Sequence, residues 1–182
     1  GVAVMTSPAH PSGTDRIAEL ASSLGWAGGD IVVNVQGDEP MMPPALIDEC
    51  AALLGDGQAD IATLCHPVRS EDEMHRPDVV KVVRDRAGYA LYFSRAPIPF
   101  RRDQEALTGS DTGPGAGGTC PGLRHVGIYA YRVHSLLAIA ASAPSPLESA
   151  EKLEQLRALW LGLRIRVGVA SELPGPGVDT AE

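Results

Sequence analysis

The sequence predicts an α/β domain: a mixed, mainly parallel sheet flanked by helices. Three observations carry this. Residues 12–26 place apolar side chains at helical spacing, residues 30–35 form a nearly continuous apolar run, and residues 43–54 return to helical spacing. Helix, strand and helix in alternation describe a sheet covered on both faces. At 182 residues, 44% of them hydrophobic, the chain suffices for one domain, residues 1–182, with its own core.

In "SGTDRIAELASSLGW" Ile17, Leu20, Ala21 and Leu24 recur at i, i+3, i+4 and i+7, with Ser12 or Thr14 as N-cap and Gly25 as the stop. "DIVVNV" (30–35) reads as a buried strand. Pro43 and Pro44 open a helix that carries Leu46, Ile47, Cys50, Leu53 and Leu54 on one side. "DIATLCHPV" (60–68) is a further strand, and "VVKVVRDRAGYALYFSR" is two strands joined through the turn "DRAG", which makes the sheet mixed. Residues 103–123 are rich in Gly and Pro and read as a mobile loop. "RHVGIYAYRV" returns as a strand. "SPLESAEKLEQLRALWLGL" opens with a capping box, Ser145 and Glu148 around Pro146, and reads as one helix with the stripe Ala150, Leu153, Leu156 and Trp160; "RIRVGVAS" is a last strand.

A formal charge of −8 argues against broad binding to nucleic acid or to an anionic membrane, so an anionic substrate must be held by local cations or a metal. Cys50, Cys65 and Cys120 form no C-x-x-C pair and no disulfide framework, which fits a reducing compartment, with the cytoplasm as the expectation. No apolar run long enough to span a membrane is present.

Ligands of open α/β sheets bind beyond the carboxyl ends of strands, which is where "VQGDEP" falls. A carboxylate at Asp38 suits a hard cation such as Mg²⁺; Asp38 and Glu39 equally suit the capping of the next helix. Asp179, in "GPGVDT", is a second acid after a strand, and turn aspartates are common. Period-two alternation puts His125, Gly127, Tyr129 and Tyr131 on one strand face, polar and aromatic enough for a sugar. Arg95, ending "YALYFSR", is a candidate fork for a carboxylate or phosphate, or a surface ion pair. Glu151, Glu154, Gln155 and Arg157 fall on a helix's polar face, where solvation is the ordinary role.

Together, "SGTDR", "NVQGDEP", "VVKVVRDRAGYALYFSRAPIPF", "RHVGIYAYR", "EKLEQLRALWLGLRIRV" and "GVDT" resemble the 3-deoxy-manno-octulosonate cytidylyltransferases in colinear order from about residue 2 to residue 182; the loop at 103–123 departs from that pattern. The resemblance implies a Rossmann-like fold of the nucleotide-diphospho-sugar transferase type. It also implies transfer of CMP from CTP to the anomeric hydroxyl of 3-deoxy-D-manno-octulosonate (Kdo), with Mg²⁺ as cofactor, for lipopolysaccharide synthesis. By matching motif, Asp38 and Asp179 are the catalytic metal ligands it implies. Gln36, Arg95, His125, Tyr129, Glu154 and Gln155 become the sugar side, with Arg95 facing the sugar's carboxylate, and Ser12, Gly13 and Arg16 become the nucleotide side. A homodimer is implied as well. Members of the family begin with a strand and a Gly/Arg/Lys-containing phosphate loop, and neither precedes Gly1, so these 182 residues alone are expected to bind CTP poorly. A cytidylyltransferase for sialic acid or 8-amino-Kdo, or a non-catalytic binding remnant, are the alternative readings.

Overall fold

The computed structural model describes residues 1–10, 12–37, 39–102, 122–173 and 175. Six strands form one sheet in the order β4 (Ala90–Ser94), β3 (Lys81–Arg84), β5 (Leu123–Arg132), β2 (Ile61–Pro67), β6 (Ile165–Val169), while β1 (Ile31–Asn34) pairs with β5. The long strand β5 is the spine. One edge carries β2 over nearly its whole length; the other carries β3 at Leu123–Arg124 and β1 at Tyr129–Arg132.

The sheet is mixed, as the sequence predicts, yet its pairings are not mainly parallel. Only β2–β6 is parallel among the described pairs, and the other four are antiparallel. The reason is the placement of one strand. Strands β1, β2, β3 and β6 share a direction, but the reversed β5 stands between β2 and both β1 and β3, and the hairpin turn at Asp85–Gly88 reverses β4. Gly88, with φ +85°, supplies the left-handed position that this turn needs.

Helix α1 (Gly13–Ser23) is capped by Ser12, whose hydroxyl accepts from Asp15 N–H, and it ends at Leu24 before Gly25 with φ +67°. Helix α2 (Pro44–Ala52) begins on proline. Residues of β2 alternate between two cores: Ile61 and Cys65 join α1 and the later helices, while Ala62 and Leu64 join Leu46, Cys50 and Leu54 of α2. Two short helices go beyond what the sequence predicts, α3 (Glu71–His75), capped by Ser70, and α4 (Val133–Ala140), whose Val133, Leu136 and Ile139 are buried.

The single helix expected over residues 145–163 is two. Helix α5 (Pro146–Glu151) carries the anticipated capping box, then Lys152 turns left-handed at φ 55°, ψ 47°, and α6 (Gln155–Trp160) starts anew. Leu153 and Leu156 of the apolar stripe are buried, whereas Trp160 is 59% exposed. Arg157, expected to be solvated, instead pairs with buried Glu148, and both side chains are about nine-tenths enclosed. Apart from Gly122 and Leu123, which opens β5, the Gly/Pro-rich stretch lies outside the described residues.

Candidate functional site

Where β1 stops, the chain leaves the sheet through Asn34, Val35 and Gln36. The first turn of α1 lies against this exit. A Cβ added at Gly13 would stand 3.6 Å from Gln36 Oε1 and 3.9 Å from Asn34 Nδ2, so the α1 backbone and the strand end form a common wall. Tyr129 and Tyr131 on β5 and the Lys152–Gln155 connection complete a cavity of about 180 Å³. Ile61, Ile139, Leu153 and Ala158 give it an apolar floor, while Thr14, Asn34, Gln36, both tyrosines, Glu154 and Gln155 supply polar groups.

Those polar groups are organised. Thr14, buried in the first turn of α1, donates its hydroxyl to Glu154 at 2.8 Å and also neighbours the Tyr131 hydroxyl. The Tyr129 hydroxyl is buried and has no hydrogen-bond partner among the described residues. An unpaired buried hydroxyl is costly, and a ligand hydroxyl or a water relieves it. Burial pushes both phenols well above their ordinary value, so they stay protonated donors at neutral pH.

Behind this wall stands His125. Its ring meets Phe93 edge-on with centroids 5.3 Å apart and Tyr129 at 5.1 Å, and Tyr129 in turn stacks on Tyr131 at 5.8 Å. The row anticipated on one face of β5 is therefore real. Pairing with β2 shifts register between Thr63 and Leu64, and the Thr63 hydroxyl fills the gap by donating to the Ile128 carbonyl at 2.7 Å. Thr63 Oγ1 also lies 2.9 Å from His125 Nε2; with the Thr63 proton engaged, Nε2–H is the donor of that contact. Burial pushes His125 down to about 3, and the ring is neutral.

The candidate residues fall into three groups. Gln36, Tyr129, Glu154 and Gln155 line the cavity, and Ser12 and Gly13 form the helix start beside it. Arg95, His125 and Arg16 do not line it. Arg95 donates Nε–H to the Glu151 carbonyl and Nη1–H to the Pro77 carbonyl, His125 supports Tyr129 from behind, and Arg16 holds the N-terminal segment through Thr6 and the Ser7 carbonyl. Asp38 and Asp179 lie outside the described residues. Gly175, four positions before Asp179, lies against Met41, three positions after Asp38: a Cβ at Gly175 would meet the Met41 Cβ at 2.7 Å. Among the described residues, no cluster of three or more His, Cys, Asp or Glu side chains offers a complete metal site.

Sequence reasoning missed Thr14, Asn34, Tyr131 and Lys152 as lining residues. Thr14 lies inside "SGTDR" and Tyr131 on the aromatic face, so both carried a signal. Lys152 carried none, because its place depends on a helix break. No described helix is long and apolar enough to cross a membrane.

Comparison with known proteins agrees with this architecture. A family model described as Cytidylyltransferase matches residues 1–165. The chain is 54% identical over 184 residues to the 3-deoxy-manno-octulosonate cytidylyltransferase of Alkalilimnicola ehrlichii, an alignment covering 98% of this chain and 68% of that one. It is 52% identical over 179 residues to the protein of the same name from Thioalkalivibrio sulfidiphilus, with 98% and 69% covered. The solved structure of CMP:2-keto-3-deoxy-manno-octonic acid synthetase complexed with CTP is similar at a TM-score of 0.83 and 40% identity, over 99% of this chain and 68% of that one. By sequence and by fold, this chain belongs to the 3-deoxy-manno-octulosonate cytidylyltransferase family.

Proposed function

We propose that this chain transfers CMP from CTP to the anomeric hydroxyl of Kdo, releasing pyrophosphate and supplying CMP-Kdo for lipopolysaccharide synthesis. The observation that carries the reading is the cavity itself. There Thr14, in the nucleotide-side segment that begins at Ser12, and the sugar-side residues Gln36, Tyr129, Glu154 and Gln155 line one cavity. The transfer is an in-line displacement: the sugar hydroxyl oxygen bonds to the α-phosphorus, the bond to pyrophosphate breaks, and the hydroxyl proton passes to solvent water. No protein nucleophile is needed, so the chain's work is positioning.

Within the cavity, neutral donors and acceptors suit a polyhydroxylated ligand. The Tyr129 hydroxyl lacks a partner among the described residues, the Gln36 and Gln155 amides each offer a donor and an acceptor, and Glu154 keeps Oε1 for a ligand hydroxyl while Oε2 is engaged with Thr14. The apolar floor excludes water from the sugar's carbon face. In this reading Asp38 and Asp179 would hold Mg²⁺, and the ion would supply neutralisation of phosphate charge and a lower pKa for the attacking hydroxyl. Two carboxylates fit a hard cation that fills its shell with water and phosphate oxygens, and the contact of Gly175 with Met41 supports bringing the two segments together. A cytoplasmic homodimer belongs to the same proposal, and sedimentation of the purified protein tests the dimer.

Pyrophosphate release with CTP and Mg²⁺, offering Kdo, 8-amino-Kdo or N-acetylneuraminate, tests the assignment. Kdo-dependent release is the expected result. Release with another of these sugars alone would reassign the acceptor, and release with none would overturn the reading. Asp38→Asn and Asp179→Asn should each lower turnover by about 100-fold or more, because each removes a metal ligand without changing side-chain size.

A further inference from the structure

Glu151 looks like an ordinary surface residue at the end of a helix, yet both its carboxylate oxygens and its carbonyl are committed to the end of one strand. Oε1 accepts the Ser94 hydroxyl at 2.6 Å, Oε2 accepts Arg95 N–H at 2.9 Å, and the Glu151 carbonyl accepts Arg95 Nε–H at 2.8 Å. Ser94 is itself buried and accepts Ala96 N–H at 3.0 Å. From the other side, fully buried Lys81 donates to the carbonyls of Arg95, Val79 and Arg76. The end of β4 is thus gripped between an ammonium on β3 and a carboxylate at the end of α5.

The residues immediately after Glu151 give this grip a functional consequence. Lys152 adopts φ 55°, ψ 47°, a conformation that a non-glycine residue holds only when its surroundings enforce it. That single left-handed residue ends α5, and Lys152, Leu153, Glu154 and Gln155 then line the cavity. Glu151 is the last fixed point before the turn. Its carboxylate locks the turn to the sheet, and its carbonyl accepts Arg95 Nε–H at the same time.

We propose that Glu151 is a positioning residue that sets the shape of the sugar side of the cavity by fixing the 152–155 wall against the end of β4. The inference rests on the reading of the cavity as the Kdo site. It assigns Glu151 no contact with substrate. Loss of the carboxylate therefore loosens sugar binding and leaves CTP, on the α1 side of the cavity, as before.

Steady-state kinetics of Glu151→Ala, Glu151→Gln and Ser94→Ala in the full-length protein, varying Kdo and CTP separately, form the test. Glu151→Ala should raise KM for Kdo about tenfold or more, the equivalent of losing one or two charge-assisted hydrogen bonds, with KM for CTP within about twofold of wild type. Glu151→Gln keeps an acceptor for Arg95 N–H and a donor toward Ser94 Oγ and should recover most of the effect; Ser94→Ala should fall between. Adding Lys152→Gly to Glu151→Ala relieves backbone strain without restoring the anchor, so KM for Kdo should stay high. If Glu151→Ala is poorly folded, the Gln and Ser94 variants carry the comparison. Equal loss in both KM values, or recovery of stability and Kdo affinity together by Lys152→Gly, would overturn the inference. A wild-type protein that turns over CTP with another acidic sugar but not Kdo would instead displace the Kdo reading, and the same KM comparison then runs with that sugar. Wild type without turnover on any sugar removes both.

Discussion

The Thr14 hydroxyl donates to the Glu154 carboxylate across 2.8 Å, joining the first turn of α1 to the start of α6 although the two residues stand 140 positions apart in sequence. This bond ties the two sides of the cavity together, the side that meets the nucleotide and the side that meets the sugar in the proposed reaction.

Thr14→Val should therefore act on stability and on activity. It keeps the shape of the side chain, removes the hydroxyl and leaves Glu154 without its donor, at a cost of about 1–2 kcal/mol in urea unfolding. Thr14→Ser restores the donor and should recover most of that loss. If Thr14→Val unfolds at the wild-type midpoint, the bond does not hold the cavity.

His125 gives a prediction in pH. Its folded value is about 3 and its ordinary value 6.5, so between those limits the unfolded chain binds the extra proton. Stability then falls as pH falls below 6.5. At pH 5.5 the penalty from this one group is about 1.4 kcal/mol relative to pH 8, and His125→Gln should remove that share of the slope. In NMR titration the His125 ring should not change state between pH 5 and 8. A midpoint near 6.5 would show that the ring is solvated.

Glu148 acts in a lower window. Its hydrogen-bonded pairing with Arg157 holds the carboxyl below its ordinary value of 4.5, so the pair's contribution is whole above 4.5 and fades as pH drops through the lowered value. Glu148 also completes the α5 capping box through Ser145 N–H. Glu148→Ala strands Arg157 and should cost about 3 kcal/mol at pH 7, read by chemical denaturation. The difference from wild type should shrink on approaching pH 3.

Lys81→Met tests the clamp from the β3 side. Three carbonyls lose one donor; the Arg76 carbonyl keeps Val79 N–H, so those of Val79 and Arg95 are left unpaired, and at about 1 kcal/mol or more for each the variant should lose at least about 2 kcal/mol. A melting temperature equal to wild type would mean that water replaces the ammonium without penalty.

Local signals in the sequence are legible where one side chain decides the outcome. Ser12 as the cap of α1, Pro44 opening α2, the Ser145–Glu148 box and the glycine of the 85–88 turn all act within a few residues of themselves. The alternation that puts Tyr129 and Tyr131 on one face of β5 is equally local. What stays hidden depends on distant partners. Nothing near residue 152 announces a left-handed break, and the partners of its neighbour Glu151, Ser94 and Arg95, stand 57 and 56 positions away. Arg157 reads as solvated until α5 folds back to present Glu148. The direction of pairing in the sheet hangs on where β5 inserts, which is a choice among strands and not a property of any one of them. The site divides in the same way. Gln36, Glu154 and Gln155 are legible through motifs, while Arg95 is engaged with backbone carbonyls instead of lining the cavity.

The central place of β5 also governs how the chain reaches its fold during synthesis. Ile31 of β1 pairs with Arg132, Ile61 of β2 with Tyr131 and Lys81 of β3 with Arg124. Strands β1 and β2 thus leave the ribosome long before their described antiparallel partner exists. At roughly 5–20 residues per second, β1 waits on the order of 5–20 s with its backbone unpaired. Such long-range pairing makes for slow folding, whereas the β3–β4 hairpin can close as soon as it emerges.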